Sequence, residues 1–141
     1  MSSYATYSKL PSSSAKRSAE SQQPRQNLVN LNNTDEMLGS FSSHRELKDN
    51  LVRRNKIVCV KVYGKNCGPC VTVAEPFAKL SDEYRGRCLF VSEDAELRLS
   101  NVQAVPTFLF YKDGQLLKQK VHGGRLDAVV QTIEQLLEDD E

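Results

Sequence analysis

One stretch of the sequence joins a strand pattern to a helix pattern and places two cysteines at the junction. Residues 57–62 form a mostly β-branched apolar run, which predicts a buried strand, and the Gly-Lys-Asn sequence at 64–66 predicts a turn. Cys67 and Cys70 follow at the start of a helical pattern. A strand, a turn and a Cys-x-x-Cys motif at the start of a helix are together typical of a redox-active dithiol.

The position of Cys67 gives this dithiol its expected chemistry. At the N-cap or in the first turn of a helix, unpaired backbone N–H groups and the positive end of the helix dipole favour a thiolate. The pKa of a cysteine there falls from ~8.5 into the range of ~3.5 to 7.5. Cys70 lies one turn later, close enough to attack a mixed disulfide on Cys67. Pro69 suits the first helical turn, where no N–H partner is lost.

A zinc or iron–sulfur half-site is the competing interpretation of two cysteines at this spacing, and it needs two further ligands. The other two cysteines of the chain, Cys59 and Cys88, belong to apolar strand patterns and are expected to be small core residues. We therefore expect no metal at the motif. This cysteine usage fits catalysis in a reducing compartment better than it fits two structural disulfides.

Three motifs carry a resemblance to a known family. The tetrapeptide Cys67-Gly68-Pro69-Cys70 resembles the active-site sequence of the thioredoxin family. Val105-Pro106-Thr107, followed by the apolar residues 108–111, resembles the family's cis-proline and the strand after it. The sequence at 112–115 resembles its hairpin turn, and Asp-Gly between two strand patterns indicates a hairpin in its own right. The resemblance covers about residue 36 to the C-terminus.

The resemblance implies an α/β protein with the thioredoxin fold, a central mixed β-sheet flanked by helices, here with an N-terminal extension. It also implies an enzyme, a thiol–disulfide oxidoreductase that acts on protein disulfides without a bound cofactor and is recycled by a reducing or oxidising partner. The implied catalytic residues are Cys67 as nucleophile and Cys70 as resolving cysteine, with Gly68 and Pro69. Lys61, which the resemblance does not supply, is a further candidate as a modulator of pKa. The implied substrate-binding residues are Val105, Pro106, Asn66 and Gly123. His122 stands next to that glycine and is a further candidate for the substrate groove.

The sequence departs from the family pattern at several positions. Lys61 stands where the family usually has a buried aspartate, and Asn66 stands where it usually has a tryptophan. The family's helix proline is displaced by one residue, so that Glu75 precedes Pro76, and the segment 93–106 is shorter than usual. These departures keep the dithiol but leave open the usual reductase kinetics and recognition by the usual recycling reductase.

Lys61 needs a physical explanation, because an unpaired buried ammonium group either finds a carboxylate or loses its proton. Glu93, Asp94 and Glu75 are the candidate partners. A protonated Lys61 near Cys70 would favour the thiolate, whereas a neutral amine could act as a base. In the third alternative, Lys61 reaches solvent and affects nothing.

Composition divides the 141 residues into a tail, 1–35, and one domain, 36–141. The tail is rich in serine and basic residues and too poor in apolar residues to form a core, so we expect it to be disordered in isolation. The net charge of +1 gives no reason to expect nucleic acid as a partner, and no apolar run is long enough to span a membrane. A cytoplasmic or other reducing location follows, with organelle targeting or incorporation in a larger particle as alternatives. A thioredoxin-like structural component of an assembly, docked through residues 1–35 and with secondary or vestigial redox activity, is the alternative function.

Hydrophobic periodicity and turn signals give the remaining elements. They predict an edge strand at 37–41, a helix at 43–54 with a capping box from Ser43 to Glu46, a strand at 56–62, a helix at 68–85 ended by Gly86, a strand at 88–91, a short helix within 95–101, a hairpin of 108–111 with 116–121, and a last helix with an apolar stripe from Leu126 to Leu137.

Overall fold

The computed structural model describes residues 27–33 and 39–140. In these residues the strands are β1 (Leu28–Asn30), β2 (Ile57–Tyr63), β3 (Leu89–Asp94), β4 (Thr107–Lys112) and β5 (Gln115–His122), and the α-helices are α1 (His44–Arg54), α2 (Gly68–Glu83) and α3 (Leu126–Asp139). Short 3-10 helices cover Leu31–Asn33 and Ala95–Leu97. Within this part of the chain, no helix combines the length and the apolar character needed to cross a membrane.

The strands form one mixed sheet in the order β1-β3-β2-β4-β5. β3 runs parallel to both β1 and β2, whereas β4 is antiparallel to β2 and β5 is antiparallel to β4. Parallel neighbours need a crossover connection, and α2 supplies the crossover from β2 to β3. A short turn is enough to connect β4 and β5, which form an antiparallel hairpin. The mixed sheet with flanking helices is the thioredoxin fold predicted from the sequence.

β2 is the central strand, and side-chain alternation sends its residues into two separate cores. Val58, Val60 and Val62 pack with Leu47 of α1 on one face of the sheet. Ile57 and Cys59 pack on the other face with apolar residues of α2 and α3, among them Phe77 and Ile133. Because both faces are covered, the strand reads as a nearly continuous apolar run.

The helix ends follow the capping signals in the sequence. Ser43 is the N-cap of α1 and accepts a hydrogen bond from the backbone N–H of Glu46, with an N···Oγ distance of 3.1 Å. The Glu46 carboxylate accepts from the backbone N–H of Ser42, at 2.6 Å, so it caps one residue earlier than a standard capping box. Gly86, with φ of +85°, follows the end of α2 in the left-handed conformation that favours glycine.

The edge strand of the sheet lies earlier in the chain than predicted. Of the predicted strand at 37–41, Met37 and Leu38 lie outside the described residues, and residues 39–41 form a turn and a bend. The edge strand is β1, and Leu31 directly after it is completely buried. The side-chain amide of Asn27 donates buried hydrogen bonds to the carbonyl oxygens of Ser81, at 2.6 Å, and Cys88, at 2.8 Å.

Residues 27–33 therefore belong to the sheet and core, which corrects their assignment to the tail 1–35. The reason is long-range pairing: β1 is three residues long and derives its register from β3, which composition does not reveal. The rest of the predicted tail, residues 1–26 and 34–35, lies outside the described residues. The short helix predicted within 95–101 is a single 3-10 turn that ends at Arg98, which has φ of +56°.

Truncating Leu31 tests whether this segment belongs to the folded domain. We expect Leu31→Ala to lower the free energy of unfolding by about 2–5 kcal/mol, because it removes a fully buried side chain and leaves a cavity. Asn32→Ala, at an exposed neighbouring position, is the matched control and should cost less than about 1 kcal/mol. Urea denaturation of the three proteins gives the comparison. Equal stabilities would show that residues 27–33 contribute nothing to the core.

Candidate active site

The dithiol lies where β2 passes into α2. Cys67 is the N-cap residue of α2, with extended backbone (φ −117°, ψ 101°), and its Sγ accepts a hydrogen bond from the backbone N–H of Cys70 at 3.2 Å. The two cysteines form a disulfide, with their Cα atoms 5.3 Å apart. Pro69 lies in the first turn, where its missing N–H costs no helical hydrogen bond. The helix N-terminus thus stabilises negative charge on Cys67 once the disulfide is reduced.

The two cysteines differ in exposure. Cys67 is partly exposed, whereas Cys70 is only 5% exposed and faces the interior. An incoming disulfide can therefore reach Cys67, and Cys70 can reach only a partner already bound to Cys67. The roles of nucleophile and resolving cysteine stay a prediction, which this difference in exposure supports.

Cys59 and Cys88 are free thiols in the core. Burial raises the pKa of Cys59 well above its ordinary value, and the neighbouring Cys88 raises it further. Burial likewise raises the pKa of Cys88 to about 12. Both are neutral, inaccessible thiols at neutral pH, as expected for small core residues. In residues 27–33 and 39–140, no group of three or more histidine, cysteine or acidic side chains could hold a metal ion.

The glycine-containing segment after β5 packs between the cis-proline and the start of α2. The Val105–Pro106 peptide bond is cis, and the Pro106 carbonyl oxygen accepts a hydrogen bond from the Gly123 N–H at 2.8 Å. A Cβ atom on Gly124 would lie 2.9 Å from Cγ1 of Val73, in the second turn of α2. The segment after β5 therefore packs against both Pro106 and the start of α2.

Gly64 makes the corresponding contact from the β2 side. A Cβ atom at this position would lie 3.0 Å from Cγ2 of Val105, so a larger residue would push the cis-proline segment away. Asn66 is exposed and has φ of +52°, a left-handed conformation that asparagine tolerates better than most residues. His122 ends β5 and is exposed, with its Nδ1 3.5 Å from the Thr107 hydroxyl.

Lys61 is buried on the same side of the sheet as Cys59, and only 6% of it is exposed. The alternative in which it reaches bulk solvent is therefore wrong. Its Nζ lies 5.1 Å from the centre of the Phe77 ring and 5.7 Å from that of Tyr63, close enough for the aromatic faces to attract the ammonium. Burial lowers the pKa of Lys61 from its ordinary value. Lys61 and Cys70 line the same cavity.

Two of the three expected carboxylate partners of Lys61, Glu93 and Asp94, have other partners. Glu93 is opposite Val62 in the sheet register, not opposite Lys61, so its side chain enters the other core. There its carboxylate pairs with Lys48 at 2.7 Å, and both groups are buried. Asp94 accepts hydrogen bonds from Asn32 and from the Glu96 backbone. In the described residues, no ion pair joins Lys61 to a carboxylate, which corrects the prediction of Glu93 as its partner.

Sequence reasoning missed the packing glycines and the cavity. The sequence predicts only a turn at Gly64, whereas the structure shows that its lack of a side chain also leaves room for the side chain of Val105. Asn30 and Ser92 line the cavity beside Lys61, yet they lie on different strands far from the cysteine motif in sequence. The one local signal was Lys61 in an apolar strand pattern, because a basic side chain in a buried strand requires polar or charged neighbours.

Taken together, a helix-capping Cys-x-x-Cys disulfide beside a cis-proline in a mixed α/β sheet defines a redox-active domain with the thioredoxin fold. The comparison with family models agrees, because the Thioredoxin model matches residues 40–135. The chain belongs to the thioredoxin family.

Individual relatives support this assignment. The chain is 31% identical over 101 residues to Thioredoxin-1 of Saccharomyces cerevisiae, covering 69% of this chain and 96% of that protein. It is 34% identical over 84 residues to Thioredoxin Asp f 28 of Aspergillus fumigatus, covering 56% and 77%. The structure superposes on oxidised mitochondrial thioredoxin 3 of Saccharomyces cerevisiae with a TM-score of 0.59 at 27% identity, covering 79% and 97%.

Other curated relatives are much longer than the matched region. The chain spans only 14% of a peptide-N(4)-(N-acetyl-beta-glucosaminyl)asparagine amidase of Caenorhabditis briggsae and 44% of the chloroplastic thioredoxin F of Oryza sativa. The matched region is thus the redox domain, and the activities of those longer proteins do not transfer with it.

Alkylation of the reduced protein tests the difference between the cysteines. We expect iodoacetamide at neutral pH to modify Cys67 at least tenfold faster than Cys70, because Cys67 is more exposed and caps the helix. Cys59 and Cys88 should remain unmodified until the protein unfolds. Peptide mapping by mass spectrometry over a time course gives the order. Early labelling of Cys59 or Cys88 in folded protein would contradict the structure.

Replacing Lys61 tests its electrostatic coupling to the dithiol. A protonated Lys61, on the cavity that Cys70 also lines, would stabilise the thiolate of the reduced form. On that assumption Lys61→Met should lower the reduction potential, by roughly 30 mV for a tenfold change in the equilibrium constant. Lys61→Asp, which reverses the charge, should lower it further. Equilibration of each protein against glutathione at fixed pH gives the potentials. Lys65→Met, at a 71% exposed side chain, is the control and should match wild type.

Proposed function

We propose that this protein is a thiol–disulfide oxidoreductase that exchanges its Cys67–Cys70 disulfide with disulfides of protein substrates. The observation that carries the proposal is the pairing of a partly exposed, helix-capping Cys67 with a buried Cys70. Membership of the thioredoxin family supports the same reaction class.

The reaction takes place in two exchange steps. In the reduced protein, the Cys67 thiolate attacks one sulfur of a substrate disulfide; that S–S bond breaks, a mixed disulfide forms, and the other substrate sulfur leaves as a thiolate. The Cys70 thiolate then attacks Sγ of Cys67, which breaks the mixed disulfide and releases the second substrate thiolate. Each released thiolate takes up a proton according to its pKa. Two electrons pass from the dithiol to the substrate, and the protein ends as the Cys67–Cys70 disulfide.

The residues around the dithiol support roles in this exchange. The helix N-terminus and the bond from the Cys70 N–H stabilise Cys67 as a nucleophile and as a leaving group. Gly68 and Pro69 occupy the exposed first turn of the helix, between the two cysteines. We assign Val105, Pro106, Gly123 and Asn66 to the surface that receives the substrate chain. Val105 packs against Gly64 in the turn before Cys67, Gly123 is hydrogen-bonded to Pro106, and Asn66 directly precedes Cys67.

Turnover as a reductant requires a dithiol donor that reduces Cys67–Cys70 again. Solved structures similar to this one include a complex of ferredoxin:thioredoxin reductase with thioredoxin f2, which at 20% identity shares the fold alone. Another, at 25% identity, concerns the thiol resolving mechanism of yeast mitochondrial 1-Cys peroxiredoxin via glutathione/thioredoxin systems. We propose that this donor is a protein reductase. The residues around the site then determine which reductase binds.

Insulin disulfide reduction with dithiothreitol as donor tests the proposed function. We expect the protein to accelerate insulin precipitation, Cys67→Ser to return the rate to that of dithiothreitol alone, and Cys70→Ser to accumulate mixed disulfides with its substrate. Cys88→Ala is the control for cysteine replacement away from the site and should retain activity. Wild-type protein that reduces no protein disulfide would favour the alternative role, a structural component of a larger assembly.

A further inference from the structure

A cavity of about 370 Å³ opens beside the disulfide, between the first turns of α2 and the strands β1, β2 and β3. Tyr63, Val71 and Ala74 supply apolar walls, and Lys61, Ser92 and Asn30 supply polar groups. Val71 is 78% exposed, whereas Lys61 and Ser92 are 6% and 5% exposed. The exposed Val71 and Ala74 therefore lie at the mouth, the buried Lys61 and Ser92 lie at the base, and Tyr63 and Asn30 are half-buried.

The base of the cavity holds the amine of Lys61, a basic group that burial strips of most of its hydration. In the described residues Lys61 has no carboxylate partner, and aromatic rings alone replace only part of the hydration that a buried ammonium loses. The other buried lysine, Lys48, shows the usual solution, an ion pair with Glu93 and a hydrogen bond to Ser100. Lys61 instead lies against an open cavity, where an incoming anion can reach it.

We propose that this cavity binds an acidic side chain of the protein substrate, next to the disulfide that Cys67 attacks. The proposal rests on the proposed oxidoreductase function and names a specificity site for it. The carboxylate pairs with the Lys61 ammonium, with the Ser92 hydroxyl and the Asn30 side-chain amide beside it. The methylene groups of the acidic residue pack against Val71 and Ala74 at the mouth.

The charge at the base selects among possible occupants. A basic side chain would face repulsion from Lys61, and an apolar one would fill the cavity while leaving the ammonium without a polar partner, which costs free energy. A carboxylate gains a charge-assisted hydrogen bond in a partly desolvated site, the stronger class of such bonds. Charge complementarity therefore favours glutamate or aspartate.

The location suits a substrate that extends across the site. Gly64 lines the cavity and also contacts the side chain of Val105, so the cavity and the cis-proline segment adjoin each other. Cys70 lines the cavity too and is bonded to Cys67. A substrate residue close in sequence to the cysteine that bonds Cys67 is therefore the one we place in the cavity.

The test uses pairs of disulfide-linked peptides. The two peptides of a pair differ at one position, directly before or directly after the cysteine, where one has glutamate and the other has glutamine. We expect the reduced wild-type protein to show kcat/KM about tenfold higher for the glutamate peptide at one of these positions, the ratio that 1.4 kcal/mol gives. Lys61→Met should bring the ratio to about one. Lys65→Met, which removes an exposed lysine from the loop before Cys67, should keep the wild-type ratio.

A second variant tests the cavity without changing charge. Ala74→Leu adds bulk at an exposed position of α2 that lines the mouth, so it should reduce the glutamate preference even if Lys61→Met fails to fold. Equal rates for glutamate and glutamine peptides in wild type would overturn the specificity site while leaving the oxidoreductase function intact. A preference that survives Lys61→Met, or disappears in Lys65→Met, would also overturn it. Failure to reduce any peptide would instead contradict the proposed function.

Discussion

Burial of the central strand β2 on both faces is the constraint on which the rest of the structure depends. Its valines require α1 on one side of the sheet, and its other residues require α2 and α3 on the opposite side. A strand covered in this way has little freedom of register, since a shift by one residue would exchange its two faces. The end of β2 is therefore fixed in space, and so is the turn that leads to Cys67.

The active site is assembled from three distant segments that meet at this fixed end. The β2–α2 turn contributes the dithiol, the segment before β4 contributes the cis-proline, and the segment after β5 contributes two glycines. Small residues make the meeting possible: Gly64 admits Val105, and Gly124 admits Val73. Close packing of backbone against side chain holds the partly exposed Cys67 beside the buried Cys70, so the two sulfurs differ in their access to an incoming disulfide.

The two buried lysines show how the sheet divides charge between its faces. Lys48 and Glu93 form a buried ion pair in one core, and Lys48 also donates a hydrogen bond to the Ser100 hydroxyl. Lys61 enters the opposite side, near the dithiol, with aromatic rings and a cavity around it. One core thus holds a buried ion pair, and the opposite side holds a buried lysine that shares a cavity with Cys70.

Local sequence determined the features that depend on neighbouring residues. The apolar run of β2, the capping of α1 by Ser43, the placement of Cys67 at a helix start and the hairpin at Asp113-Gly114 were all predicted, because strand alternation, capping and turn geometry act over a few residues. Tertiary structure alone decided that Leu28–Asn30 joins the sheet, that Glu93 pairs with Lys48 and not with Lys61, and that a cavity lies beside Cys70. Each of these depends on the register between strands far apart in the chain, which selects the face that a side chain enters and hence its partners.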